Sequence, residues 1–235
     1  MQLLKSNWIV CFVLALTLAG WAGVSAAQTA SEAPESGVFA IRANGSALGN
    51  ERFQIRRNGS GWEVAGELQL QIPGGPKVSE TSTLRMDAEW RPASYERRQQ
   101  SPQKGTLTVA FSPEGSRLSS STDAGSQDQI YLLPKEVVVL DTNFFHQYSV
   151  LLRQFNMEQA GLQRFNVFVP QEATPSLISL TLVARETLPV GGTPVELLHF
   201  RAATEDIQLE IWATEQRQIQ RIEIPQAKLE IVRQP

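Results

Sequence analysis

The chain is short of cysteine, histidine and tyrosine, with one, two and three copies respectively in 235 residues, and each shortage removes a class of function. The single cysteine, Cys11, lies in an apolar run near the N-terminus. A chain processed beyond it carries no thiol, so disulfides, thiolate catalysis and cysteine-ligated metals are excluded. His146 and His199 stand 53 residues apart with no His-Glu-x-x-His, which leaves little for a histidine-based metal centre. A site joining both with Asp141 needs a fold that brings a mid-chain helix beside a distant strand. Two separate surface or core-edge histidines are the simpler reading, and no metal site is expected. No Gly-x-Ser-x-Gly presents a nucleophilic serine. Gly191-Gly192 sits in a turn context rather than the strand-to-helix setting of a phosphate loop. An excess of positive charge is missing as well. With 21 Lys and Arg against 24 Asp and Glu, the formal net charge is −3, and it becomes −4 once Lys5 is removed. No global basic field remains to hold nucleic acid or an anionic membrane.

What is present first is an address. Lys5 supplies one positive charge, Trp8 to Leu18 is uninterrupted and apolar, and Val24-Ser25-Ala26-Ala27 offers the small residues a signal peptidase needs. Residues 1–27 therefore read as a secretory signal peptide cleaved after Ala26 or Ala27. The apolar run is shorter than the roughly 20 residues of a membrane-spanning helix, so no transmembrane anchor is expected after cleavage. Cys11 falls too early, behind Trp8-Ile9-Val10, to be a lipid attachment site. The expected product is soluble, periplasmic or secreted, with a Gram-negative periplasm favoured because a large exported domain without disulfides suits that compartment. Residues 28–36 are Ser/Glu/Ala/Pro without period, a flexible leader. Residues 37–235 are long enough for one β domain with a real core.

In that domain the dominant signal has period two. Trp62, Val64, Gly66, Leu68, Leu70 and Ile72 share one face and Glu63, Ala65, Glu67, Gln69 and Gln71 the other. Leu84, Met86, Ala88 and Trp90 alternate the same way, and Leu107, Val109 and Phe111 follow. Asn58-Gly59-Ser60-Gly61, Pro73-Gly74-Gly75-Pro76 and Ser112-Pro113-Glu114-Gly115 read as hairpin connections. In the C-terminal half, Leu177 to Ala184, Val195 to Ala202, Ile207 to Trp212, Ile219 to Ile224 and Leu229 to Val232 read as five more strands, joined at Leu188 to Pro194, Thr204 to Asp206 and Glu215 to Arg217. The fold class is mainly β: a single antiparallel, strongly curved sheet, half-barrel or open barrel, because parallel strands would need helical crossovers that the chain lacks.

One segment breaks this pattern. After Asp141-Thr142-Asn143, Phe144, Tyr148, Leu151 and Phe155 recur at spacings of four, three and four, which predicts one amphipathic helix near 143–156. A helix between strand-rich flanks plugs an open end or a concave face of the sheet. Asp141, His146 and Ser149 sit close together in sequence there, yet without an oxyanion hole the simple reading is that Asp141 caps the helix while His146 and Ser149 face water. Catalytic residues are not expected, and neither is a cofactor. Most carboxylates, Glu63, Glu67, Asp87 and Glu89 among them, fall on solvent faces. Arg56-Arg57, Arg85, Arg91 and Arg97-Arg98 make the N-terminal half locally basic, as edge-strand charges do. Trp62, Trp90 and Trp212 fall on inward registers with Phe111 and Phe165 on neighbouring strands. Such aromatics either fill a closed core or wall a ligand cavity. With Tyr148 they form the candidate ligand-binding set.

Gly37-Val38-Phe39-Ala40-Ile41 followed by Asn44-Gly45-x-x-Leu48-Gly49-x-Glu51 resembles the opening hairpin of a group of bacterial periplasmic half-barrel proteins, themselves similar in architecture to the lipoprotein-localisation carriers LolA and LolB. Val139-Leu140-Asp141 leading into Phe144-Phe145-His146-Gln147-Tyr148, then a strand ending Val169-Pro170, resembles the same group. The resemblance implies an unclosed antiparallel barrel around a helix, whose concave apolar face holds acyl chains in the carriers. The expectation is a non-enzymatic periplasmic protein binding a hydrophobic or amphiphilic envelope component, a lipid or a lipoprotein acyl chain. Two alternatives stand beside it: a module that meets an envelope protein through its sheet edges, and an envelope hydrolase using His146 or carboxylates.

Overall fold

The computed structural model describes residues 34–235; the expected signal peptide, its cleavage site, Cys11 and most of the expected leader lie outside the described residues. The first half is a run of hairpins: β1 (Glu35–Ala43), β2 (Ser46–Asn58), β3 (Gly61–Gln71), β4 (Lys77–Met86), β5 (Pro92–Ser101), β6 (Gly105–Ala110), β7 (Ser116–Thr122) and β8 (Gly125–Tyr131). After the two-residue β9 (Val138–Val139) come a 3₁₀ turn (Phe145–Gln147) and α1 (Tyr148–Gln154). The second half continues with β10 (Gln163–Val169), β11 (Thr174–Val190), β12 (Thr193–Ala203), β13 (Gln208–Ala213), β14 (Ile219–Ile224) and β15 (Leu229–Arg233). These form one sheet, ordered from β8 down to β1, then β15 down to β9. The hinge of that order is the antiparallel pairing of β1 with β15, where Ile41 stands opposite Ile231. Only the β9–β10 pair is parallel.

Antiparallel strands send successive connections to alternate rims. The first rim gathers turns 59–60, 87–91, 111–115, 191–192 and 214–218, and the second gathers 44–45, 72–76, 102–104, 123–124, 170–173, 204–207 and 225–228. At 44–45 both Asn44 (φ 50) and Gly45 (φ 78) are left-handed, the backbone a two-residue hairpin requires. The sheet is not closed by hydrogen bonds, since β8 and β9 are its unpaired ends. They nevertheless overlap. Val167 and Phe168 point to opposite faces of β10, yet both are buried, because the Tyr131 ring packs 5.0 Å from that of Phe168.

The period-two pattern now has a physical reading. Phe39 and Ile41 of β1, Phe53 and Ile55 of β2, Trp62, Val64 and Leu68 of β3, and Leu84 and Met86 of β4 all face inward and are buried. Each large side chain so enclosed contributes roughly 1.5–3 kcal/mol of hydrophobic stabilisation. Inside the curve lie the 3₁₀ turn and α1. Val150, Leu151 and Leu152 are all buried there, as are His146, Gln147 and Ser149. The helix therefore buries most of its surface in the curve of the sheet, with Tyr148, Arg153 and Gln154 only partly covered.

Several expectations change. Helical structure covers 145–154 rather than 143–156, and β1 begins at Glu35, two residues inside the expected leader. The connection placed at Leu188 to Pro194 shrinks to 191–192, since β11 and β12 pair as far as Val190 and Thr193. The arginines expected on edge strands lie on β2, β4 and β5 or the turn between the last two, all in the interior of the sheet, where Arg56 meets Glu63 at 2.6 Å and Arg97 meets Glu80 at 2.6 Å. Arg56, Arg85 and Arg97 balance carboxylates across strands. Trp90 does not continue a strand. The Asp87 carboxylate accepts the N–H groups of Glu89 (3.0 Å) and Arg91 (2.9 Å), which turns the chain back, and Trp90 takes a left-handed φ of 62° in that turn.

Candidate functional site at the second rim

Four polar clusters lie inside the barrel, and three of them hold the helical segment or the chain leading into it. Glu51 projects inward from β2, accepts the backbone N–H groups of Phe145 (3.0 Å) and His146 (3.3 Å), and meets His146 Nδ1 with its other oxygen. Both side chains are fully enclosed. The ring of His146 stacks on Phe53 and stands edge-on to Phe144, each 5.9 Å away. Gly66 makes the space, since a Cβ there would lie 2.5 Å from His146 Cε1. Glu80 and Arg97 form a second pair through two hydrogen bonds of 2.6 and 3.0 Å. In a third cluster Tyr95 donates to Asp141 Oδ2 at 2.5 Å, while Asp141 Oδ1 accepts the N–H groups of Thr142 (3.0 Å) and Gln171 (2.9 Å). Burial pushes the Asp141 carboxyl above its ordinary range and the Tyr95 phenol well above its own. At the first rim, Glu35 bridges Arg153 of α1 and Arg233 of β15, both at 2.7 Å.

These clusters overturn the simple reading of Asp141, His146 and Ser149. Asp141 is no helix cap, because it ties β5, the 142 backbone and the turn after β10 together. His146 and Ser149 do not face water, because both residues are fully buried. Sequence reasoning missed the role of Glu51, whose partner lies 95 residues away.

The helix leaves the second rim unfilled. A cavity of about 460 Å³ opens there between residues 140–148, the rim ends of β10 and β11, and the turns at 204–207 and 225–228. Its apolar lining includes Phe144, Phe145, Val167, Ile178, Ile224 and Leu229, and its polar lining Thr142, Asn143, Ser176 and Thr204. Tyr148, half-buried at the start of α1, contributes a hydroxyl that has no hydrogen-bond partner among the described residues. Burial lifts its phenol to about 12, so the group enters as a neutral donor and acceptor. The size lies within the range typical of small-molecule sites, about 300–1,000 Å³.

The six aromatic residues expected to bind ligand are not gathered in one site. Tyr148 lines the second-rim cavity, and Phe165 of β10 packs against the core opposite Ile178, which also lines it. Trp62 and Trp90 stack 4.3 Å apart and close the first rim. Phe111 walls a smaller cavity of about 340 Å³ between three connections of that rim. Trp212 points out of the barrel, contrary to the inward register read for it. Ile211 and Ala213 beside it take the core face, so alternation sends Trp212 to the convex face.

On that convex face Trp212 stacks on His199 at 4.5 Å. His199 Nδ1 meets Glu186 at 2.8 Å and Nε2 meets Glu210 at 2.7 Å; Trp212 Nε1 donates to Glu186 at 3.0 Å and Arg201 to Glu210 at 2.8 Å. Trp212 and His199 hold the Glu186 carboxyl below its ordinary value. For Glu210 burial acts the other way and is outweighed by Arg201 and His199. Both ring nitrogens are engaged, so the patch is closed upon itself. His146 lies inside the sheet and His199 outside it, and the two cannot share an ion.

The cavity's polar turn residues, Thr142, Glu172 and Asp206, also escaped sequence reasoning. Strand counting carried a usable signal, since turns separated by an even number of antiparallel strands share a rim.

The class so defined is a barrel-like, unclosed antiparallel sheet wrapped round a short buried helix. Two solved structures are similar to it. One is a β-barrel-like protein of a domain of unknown function, DUF1849, from Brucella abortus, with a TM-score of 0.58 and 8% identity, covering 86% of this chain and 94% of that one. The other is a DUF1089 family protein from Pseudomonas aeruginosa, with a TM-score of 0.46 and 9% identity, covering 72% and 86%. At such identities the likeness concerns the fold alone. No family model matches the chain, and no curated protein matches its sequence.

Proposed function

We propose that this chain is an exported, non-enzymatic binding protein of the bacterial periplasm that takes an amphiphilic envelope component into the second-rim cavity. The observation that carries this reading is a mixed apolar and polar cavity of about 460 Å³ that Tyr148 lines with a hydroxyl unpartnered among the described residues. The hydroxyl is not among the fully enclosed unsatisfied polar atoms, so a ligand group or water can reach it. The signal-peptide reading of residues 1–27 supports export. The resemblance to the periplasmic half-barrel group around LolA and LolB supports a lipid-like cargo. The concave face is occupied by α1 and its core, so the cargo belongs at the rim rather than along the sheet. His146 supports binding over hydrolysis, since its ring is enclosed between Phe53 and Phe144 beneath Gly66.

The test is native mass spectrometry of protein purified from the periplasm, together with titration of the uncharged probe Nile red. The expected result is a co-purified amphiphile, or probe binding, that Ser176→Trp abolishes while the circular dichroism spectrum stays unchanged. Absence of both a bound lipid and probe binding overturns the proposal.

A second reading, an assembly module meeting an envelope protein by strand addition, has one observation in its favour. β8 ends the sheet with an unpaired edge, where Ile130 is 60% exposed and Leu132, just beyond it, 84% exposed. A proline at Gln127 that removes a partner from pull-downs, with Nile red binding intact, would favour this reading over the first.

A further inference from the structure

The charge around the second-rim cavity narrows what can fill it, provided that cavity is the binding site proposed above. Three carboxylates line it: Asp141, Glu172 and Asp206. Asp141 is already engaged, taking the Tyr95 hydroxyl and two backbone N–H groups. The other two are exposed and differ from it. Glu172 accepts one hydrogen bond, from the Thr142 hydroxyl at 3.0 Å, and neither Glu172 nor Asp206 meets a cationic side chain among the described residues. No lysine, arginine or histidine lines the cavity, and Lys228 sits between the lining residues Ala227 and Leu229 without itself lining it.

A carboxylate or phosphate head group entering this mouth would approach two uncompensated like charges with no cation to receive it. An ammonium group would find its counter-ions in place. Behind it the apolar lining accepts an alkyl body, and the Tyr148 hydroxyl stands ready to accept a hydrogen bond from an N–H donor. We infer that the second-rim cavity selects amphiphiles whose polar end is an alkylammonium group, with Glu172 and Asp206 as its counter-charges and Tyr148 as its hydrogen-bond partner. Acyl chains ending in a free carboxylate are disfavoured by the same charges.

Dodecylamine, dodecanol and dodecanoate share a chain and differ only in the head group. They are titrated below their micelle concentrations into the purified protein and into the Glu172→Gln/Asp206→Asn double variant. The wild type is expected to bind dodecylamine at least about tenfold more tightly than dodecanoate, with dodecanol between them, as two uncompensated charges near the head group imply. The double variant is expected to bring the three ligands to within about threefold of one another. Equal or tighter binding of dodecanoate overturns the inference while leaving the cavity a binding site, as does a preference for the amine that survives the double substitution. Binding of none of the three overturns the proposed function itself.

Discussion

The two rims of the barrel hold the same kind of residue in opposite states. At the first rim Trp90 folds back over Trp62 with their rings 4.3 Å apart, Arg153 stands 5.4 Å from the Trp90 ring, and Gln154 donates to its backbone carbonyl at 3.3 Å. Glu35, Arg153 and Arg233 complete the seal. At the second rim Tyr148 has neither a stacking partner nor a hydrogen-bond partner among the described residues, and a cavity opens beside it. Both are aromatic positions on or near an inward register. What separates them is the supply of partners. α1 runs toward the first rim and presents Arg153 and Gln154 to it, whereas its start at Tyr148 leaves the second rim to short polar turns. An aromatic residue becomes core when its polar atoms and faces are matched, and cavity wall when they are not.

If that contrast is right, changes at the first rim alter stability and changes at the second alter binding. The largest effect is expected for Glu35→Ala, which leaves Arg153, 2% exposed, in the interior without its carboxylate; urea unfolding should show a loss of about 3–5 kcal/mol. Trp90→Ala should cost about 2–3 kcal/mol by the same measurement, less than a fully enclosed tryptophan because one side of the rim meets water. Neither substitution should change Nile red binding at the far rim, and a parallel loss of both would dissolve the distinction.

The rims should also respond oppositely to pH. Burial works against the Asp87 charge at the first rim, but the backbone and guanidinium of Arg91 outweigh it and hold the carboxyl below its ordinary 3.8. Its stabilisation is full above that value and is lost as pH falls through the lower folded one. Asp141 beside the cavity is raised by burial, so its contribution is present below 3.8 and is lost as pH rises through the higher folded value. Unfolding free energies followed from acid to neutral pH should therefore lose part of their acid slope in Asp87→Asn and part of their decline toward neutrality in Asp141→Asn. Identical slopes in wild type and both variants would refute this. The smallest effect on stability belongs to Tyr148→Phe, which removes no bond within the protein and should stay within about 0.5 kcal/mol by unfolding. Its cost should appear in ligand affinity instead, by about 0.5–1.5 kcal/mol in calorimetry.

Much of the sheet was legible before any coordinates. The alternation from Trp62 to Leu70, the Asn58 to Gly61 turn and the five C-terminal strands are local signals, set by which faces of two neighbouring strands are buried. Polar strands were not legible. β8, with Gln127, Asp128 and Gln129 along it, has no apolar face because it is an exposed end of the sheet. Of the six aromatic residues expected from the sequence to bind ligand, only Tyr148 lines the cavity, with Phe165 in a neighbouring position. Trp212 was misplaced because period two separates two faces without saying which is inside.

Taken alone, the chain determined most of its strands, its tight turns and the one helical interruption, because each depends on residues a few positions apart. The tertiary structure decided which face of each strand is enclosed, that Glu51 receives His146 through the gap left by Gly66, and that the helix packs beneath Trp90 at one rim and leaves the larger cavity at the other. Those outcomes rest on contacts between residues about a hundred or more positions apart, such as Glu51 with His146 and Glu35 with Arg153 and Arg233. They depend on how far the sheet curls before its ends overlap, a property of the whole sheet that no local window contains.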